Sequence, residues 1–383
     1  MKIRMASGFI GAAILTAPAG AAPYIVPSLV VAVLTDDNVL VSAEDRRKDV
    51  ITRVSPGLSI GTDSERMVLN ASYSQDMEAY QDNPDLDATD MRRFLQGEFI
   101  YRLSELILFS VDASYTESQF PAELNISTGA GEGRIKGERT EINPALTYRF
   151  SPTSSGQIDF RTSRDRLAGG VENDTNAFNL EYEHFLTANT QMTYGYTYSH
   201  FTFDSPETGV LELTEYVHAP RIGIAHNFSA FTSLSVQAGP SYSADEVGAN
   251  IAIELLRDYG NGQFAIDYTR SAGTLIGEPG LVDLDAVTAT LTHEFSNKFE
   301  VSSAISYGQV HSDRRDFSDD RVARATLSAI YRVNDYASVT ASYSYSEQRL
   351  SMLNGSASIP RNVAMLALTF SYPRRSTPVT FNR

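Results

Sequence analysis

Between Val287 and Tyr307 the chain reads VTATLTHEFSNKFEVSSAISY, two runs of alternation around the break Ser296-Asn297-Lys298. In the first run Val287, Ala289, Leu291, His293 and Phe295 share one face, opposite Thr288, Thr290, Thr292 and Glu294. In the second, Phe299, Val301, Ser303, Ile305 and Tyr307 oppose Glu300, Ser302, Ala304 and Ser306. Successive side chains of a strand point to opposite faces, so the stretch predicts a hairpin with one apolar and one polar face. The pattern recurs along nearly the whole chain. It predicts eighteen strands of about ten residues, from Ser28–Thr35 to Asn362–Tyr372. Sixteen result if Ser28–Thr35 or Ala249–Leu256 is misassigned together with a neighbour.

The breaks between these runs fall into two classes. Tight ones, such as Ser104-Glu105, Ser229–Thr232, Ser296–Lys298 and Asn334–Ala337, are made of turn-forming residues. Longer ones include Asp36–Lys48, Glu78–Arg92, Ser118–Thr140, Arg166–Asn176, Ser271–Asp283 and Gln348–Arg361. The two classes alternate, except that Asp245–Gly248 is short where a long break is due. A meander of short turns on one rim and longer loops on the other is the pattern of an all-β, antiparallel up-and-down barrel of the outer-membrane type.

Aromatic rings recur where strands approach the short turns. Tyr101, Tyr148, Phe150, Phe228, Phe295, Tyr331, Phe370 and Tyr372 occupy apolar-face positions there, and they predict a girdle at a membrane interface. With no Trp in the chain, its 20 Tyr and 19 Phe must supply that girdle. Pro56, Pro144 and Pro220 interrupt strands running toward the same rim; each deletes a ladder hydrogen bond, so a bulge or kink is expected at each.

The polar face would line the interior. Besides Ser, Thr, Asn, Gln and Gly, it carries Arg53, Arg102, Arg149, Arg161, Arg221, Arg324 and Arg332, set among Glu98, Asp112, Glu181, Glu254, Asp267 and Glu294. An interior of that kind holds water, and eighteen strands enclose a lumen wide enough for a channel unless a loop fills it. The arginines read either as a selectivity ladder for hydroxylated or acidic solutes or as salt bridges that stiffen the wall. Two loops stand out. Glu78–Arg92 carries Asp82, Asp85, Asp87 and Asp90 without the spacing of a calcium loop, so a solvated acidic loop is expected. The Gly-rich Ser118–Thr140 suits either a lid folded into the lumen or an external loop.

Composition adds location. Met1–Ala21 has the cationic start, apolar middle and Ala19-Gly20-Ala21 ending of a secretory signal, leaving residues 22–383 as the barrel domain. Losing Lys2 and Arg4 takes the formal charge from −16 to −18, so nucleic acid is excluded as a partner. The chain has no cysteine, hence no disulfide, no thiolate metal site and no lipid anchor on cysteine. No catalytic spacing, nucleotide motif or metal-ligand pattern is visible, and neither an enzyme nor a cofactor is expected.

The opening hairpin, Thr35-Asp36-Asp37-Asn38-Val39-Leu40 and Asp49-Val50-Ile51-Thr52-Arg53-Val54-Ser55-Pro56-Gly57-Leu58, resembles that of the β-barrel porin 2 family of proteobacterial outer-membrane proteins. That resemblance implies a channel in the cell outer membrane, associated with exopolysaccharide loci, and brings no functional residues to transfer. Expected partners are outer-membrane lipid and lipopolysaccharide, the barrel-assembly machinery, and polysaccharide or periplasmic export components. Three readings stay open: an export channel with a wide lumen, a general diffusion porin with an inward-folded loop, and a non-conducting structural or adhesive barrel. The terminal strand has the form of an assembly signal, although Pro373–Arg383 follow it.

Overall fold

The computed structural model describes residues 22–125, 127–205, 210–243, 246–312, 318–352 and 355–372. The signal segment and the Pro373–Arg383 tail lie outside the described residues. Eighteen strands follow in order: β1 (Ala22–Asp36), β2 (Asp49–Asp63), β3 (Met67–Tyr80), β4 (Ala88–Arg102), β5 (Ile107–Ser118), β6 (Gly137–Ser151), β7 (Ser154–Leu167), β8 (Glu172–Thr187) and β9 (Thr190–Ser205). The second half comprises β10 (Val210–Ser229), β11 (Thr232–Tyr242), β12 (Val247–Asp258), β13 (Gly262–Gly273), β14 (Val282–Ser296), β15 (Phe299–Ser312), β16 (Ser318–Asn334), β17 (Ala337–Met352) and β18 (Gly355–Ser371). Each pairs antiparallel with its neighbours in sequence, and β1 pairs with β18, so the sheet closes on itself without an edge. A cylinder of eighteen strands about 4.8 Å apart and tilted about 40° is roughly 35 Å across its backbone.

Register assigns the faces. At the closing seam Val31 lies opposite Leu368, and Val33 opposite Leu366. These four side chains stay exposed and point outward with Leu29 and Phe370, whereas Ala32, Leu34 and Ala367 between them are buried on the inside. The same alternation carries Leu58, Leu146, Ile158, Leu180, Ile224 and Leu327 to the exposed outer face. An exposed apolar surface of this extent, on a closed sheet with no free edge, is suited to hydrocarbon rather than to water.

The strands run longer than the apolar alternation predicts. Arg166–Asn176, read as a long break, is mostly ladder, with only residues 168–171 left between β7 and β8. The extension is held by outward ion pairs in register: Arg164 faces Asp174 across the ladder at 2.5 Å, and Arg166 faces Glu138 at 3.1 Å. Opposite charges placed directly across neighbouring strands stabilise a sheet, so the ladder continues above the apolar belt. Gln348–Arg361 is likewise absorbed into β17 and β18.

The prolines do not bulge. Leu29–Pro56, Val111–Pro144 and Tyr196–Pro220 are regular partners on one side. On the other side the ladder lapses briefly, for example between His218 and Ile222 against β11, and resumes in the same register. A proline lacks a single N–H, and the wall absorbs that loss without inserting a residue. At Pro220 the carbonyl leans into the space that a Cβ on Gly239 would need, which makes glycine the fitting residue opposite.

Candidate functional site: the strap across the lumen

The lumen is crossed by the eighteen-residue segment between β5 and β6, residues 119–136, referred to below as the strap. Its middle reaches β15, which stands nine strands from β6 in either direction around the barrel. There the backbone of Thr128 packs on Gly308: a Cβ added to Gly308 would come within 2.7 Å of Thr128 Cα and 2.9 Å of its carbonyl oxygen. Nine residues per leg reach at most about 30 Å, close to the width of an eighteen-strand lumen. Gly308→Val is expected to push the tip off the wall. The check is faster exchange of the amides of residues 125–131 with solvent, with the barrel ladder unchanged.

The strap is built to sit there. It begins with the single helical turn α1 (Pro121–Leu124), with Pro121 at its first position, and turns back through Gly129, Gly131 and Gly133, all at positive φ. Gly131 is doubly required, because a Cβ there would strike the Ala122 nitrogen at 2.6 Å. Asn125 fastens the fold of the strap: its Nδ2 donates to the Ala130 carbonyl at 2.6 Å and its backbone carbonyl accepts from Gly129 N. Its Oδ1 also accepts from Ile276 N at 3.0 Å, which ties in residues 274–281 from the β13–β14 loop. Gly131 N donates to Gln348 on β17 at 3.2 Å, and Gly133 N donates to Val41 of the β1–β2 loop at 3.1 Å.

Charge fixes the base of the strap. Arg92 on β4 forks onto Glu123, with Nε to Oε2 at 2.7 Å and Nη2 to Oε1 at 2.6 Å, while its Nη1 donates to Glu78 Oε1 at 2.9 Å. Glu78 also receives Arg53 Nη2 at 2.6 Å. Ser118 Oγ donates to Glu123 at 2.5 Å. Burial pushes the Glu123 carboxyl up, but Arg92, Ser118 and Arg361 outweigh it and hold the group below the usual carboxylate range. Two guanidinium groups lie over the Phe120 ring, Arg361 at 4.9 Å and Arg92 at 5.5 Å from its centre. Arg361 in turn forks onto Asp36 across the seam at 2.5 Å.

Three loops therefore enter the long-loop end of the lumen. Val39 packs against the inward Leu34, Ile51 and Tyr80, and Val41 packs with Met91, Phe120, Leu350 and Ile359. Leu275 joins Ala130, Val310 and Val322 on the other side of the strap. Below them the inward face of the wall is polar.

The structure places the sequence-predicted residues as follows. Register points Arg53, Arg102, Arg149, Arg161, Arg221, Arg324 and Arg332 inward, together with Glu98, Asp112, Glu181, Glu254, Asp267 and Glu294. They do not converge on one centre. Arg53 belongs to the strap's charge network, Arg221 pairs with Glu181 at 2.8 Å, and Arg332 pairs with Glu300 at 2.6 Å near the short turns. Glu98 faces Asp112, Glu254 faces Asp267, and Glu294 faces Glu300 directly across their ladders, so the short-turn vestibule carries like charges side by side. Such pairs weaken a sheet unless water solvates them.

The aromatic positions fall outward at the short-turn rim. Tyr148 meets Phe150 edge-on at 5.0 Å, Phe228 meets His226 at 4.8 Å, and Phe295 meets His293 at 4.4 Å. Tyr101 stacks with Phe99, Tyr372 meets Tyr336 at 5.8 Å, and Tyr331 and Phe370 stand exposed. Three of the four aspartates of the acidic loop are engaged locally: Asp85 by Arg47, Asp87 by Tyr80 N, and Asp90 by Arg93 and Lys136.

Sequence reasoning missed Arg92, Glu123, Arg361, Asp36, Phe120 and Gly308. The one available signal was Phe120 and Leu124 inside a loop otherwise rich in Gly and charge, since apolar residues in a loop need something to cover them.

No family model matches the chain, and no curated protein matches it. Among solved structures it is similar to OpdO from Pseudomonas aeruginosa, at 12% identity over 91% of this chain and 97% of that one, with a TM-score of 0.47. It is also similar to the outer membrane protein opdK from Pseudomonas aeruginosa, at 11% identity over 91% and 99%, TM-score 0.44. A third is the siderophore receptor PirA from Acinetobacter baumannii, at 8% identity over 90% and 80%, TM-score 0.46.

Proposed function

We propose that this chain is an outer-membrane channel for small hydrophilic solutes, narrowed from within by the strap. The observation that carries this reading is the seating of Thr128 on Gly308 across the full width of the barrel. Export of a long polysaccharide needs a wide lumen, and a strap fastened to both walls obstructs one; passage of small solutes fits better. A purely structural barrel has no use for carboxylates set side by side across its ladders, an arrangement that weakens a sheet and is tolerated where a lumen admits water. The apolar outer belt faces lipid, and the outward ion pairs of β6, β7 and β8 lie at the height where lipopolysaccharide head groups would meet the protein. The aromatic rim anchors the opposite interface.

The test is single-channel recording of the refolded protein in a planar bilayer. Steady small conductance, with passage of monosaccharide-sized solutes in liposome swelling and exclusion of long oligosaccharides, is the expected result. Ready passage of long oligosaccharides would restore the export reading. Silence over many insertions of folded protein would leave only the structural one.

A further inference from the structure

Against the tip of the strap, on its short-turn side, lies a cavity of about 230 Å³. The strap contributes Ser127 and Thr128, and the wall contributes Thr288, Ser306, Thr326 and Arg324. No carboxylate lines it. Arg324 stands exposed to the lumen, and its guanidinium lies along Gly129, with Nη2 3.0 Å from where a Cβ on that residue would be. Gly129 has φ +68°, so the strap offers bare backbone at this point for two reasons.

Three inward arginines around the strap are engaged by carboxylates. Arg53 is held by Glu78, Arg92 by Glu123 and Arg361 by Asp36. Among the described residues no carboxylate pairs with Arg324. A guanidinium kept at the mouth of a hydroxyl-lined cavity, with its own wall supplying no acid, is matched by a planar two-oxygen anion. The surrounding hydroxyls each donate and accept, which suits a ligand that carries hydroxyls itself. The volume is below the range of drug-sized sites, so the ligand is of monosaccharide scale.

We propose that this cavity is a subsite for a small hydroxylated carboxylate, a sugar acid, with Arg324 forking onto the carboxylate and Thr288, Ser306 and Thr326 ordering the hydroxyls. The proposal rests on the channel reading only in that solute reaches the cavity through the lumen.

The experiment compares galacturonate with galactose as blockers of single-channel current. Galacturonate is expected to block wild type while galactose at the same concentration does not. Arg324→Gln should raise the blocking concentration tenfold or more. Arg324→Lys should retain a weakened block, and Ser306→Val should weaken it with the charge intact. Equal block by galactose, or an Arg324→Gln channel blocked like wild type, overturns the subsite while leaving the channel in place. If wild type carries no current, the channel reading fails by itself. Calorimetric titration of galacturonate into the detergent-solubilised barrel, with Arg324→Gln as reference, then decides the subsite: binding lost in the variant supports it, and absence of binding to wild type overturns it.

Discussion

Glu123→Ala raises single-channel conductance several-fold and makes the current noisy. Among the described residues of the strap this carboxylate is the one group gripped by a fork from the wall, through Arg92 at 2.6 and 2.7 Å, and Ser118 also donates to it. Losing it leaves Arg92 paired only with Glu78 and Asp76 of β3, so nothing charged on the strap is held by the wall at this point. Removing one partner of a buried, hydrogen-bonded pair costs about 3–5 kcal/mol, more than the few backbone bonds at the tip can offset at about 1 kcal/mol each. Arg92→Gln should act alike, and the double variant should add little, because both changes break one linkage. Acid offers a second handle. A carboxyl held below its ordinary value stabilises the strap above that value, and the stabilisation is lost as pH falls through the lowered one. The strap is therefore expected to stay fastened at neutral pH and to loosen only below about pH 4, in wild type and not in Glu123→Ala. An unchanged conductance in Glu123→Ala would show that the strap is not held by this pair.

The second large effect is on the barrel itself. Asp36→Ala lowers its stability by about 3 kcal/mol or more, read as a drop in the temperature at which the folded band disappears in semi-native electrophoresis. β1 meets β2 over fifteen register pairs but β18 over only nine, so this side of β1 depends more on its side chains. The Asp36 side chain is 1% exposed and takes Arg361 on both oxygens, and next to it Asn362 binds Asp37 through N and Nδ2, each at 2.8 Å. Without Asp36 the half-buried Arg361 guanidinium beside Phe120 loses the carboxylate it forks onto. Asp36→Asn keeps the shape and loses the charge, so it should fall between. A seam indifferent to both changes would mean that backbone pairing alone closes the barrel.

Much of this architecture was legible in the sequence, for a physical reason. A wall that separates lipid from water must alternate at every strand, and Val287–Tyr307 shows the alternation as plainly as the structure does. Strand ends were less legible because the rule changes above the apolar belt: Arg164 and Asp174 face outward yet are polar, and only their pairing across the ladder marks them as strand. The prolines misled for a related reason. A missing N–H in a closed sheet is a local gap, and β2, β6 and β10 keep their register through it.

The interior assignment of Arg53, Arg221 and Arg332 followed from parity alone. What parity could not give was height or reach. Nothing local in the sequence of Gly308 says that a loop 180 residues away will rest on it, and Glu123 shows no strand pattern at all. The constriction depends on contacts between segments far apart in the chain, and these exist only once the barrel has closed.

The central claim is that the strap spans the lumen to the opposite wall. Because the chain has no cysteine, Thr128→Cys can be combined with Ser306→Cys on β15 in an otherwise thiol-free barrel and treated with a short thiol-to-thiol cross-linker. Both residues line the same cavity. A cross-linked product formed in high yield in the folded protein, with none from a control pairing Thr128→Cys with Ser155→Cys on β7, is the predicted result. Failure of the 128–306 pair to cross-link, with both cysteines reactive to a monofunctional label, would contradict the account and place the strap outside the lumen.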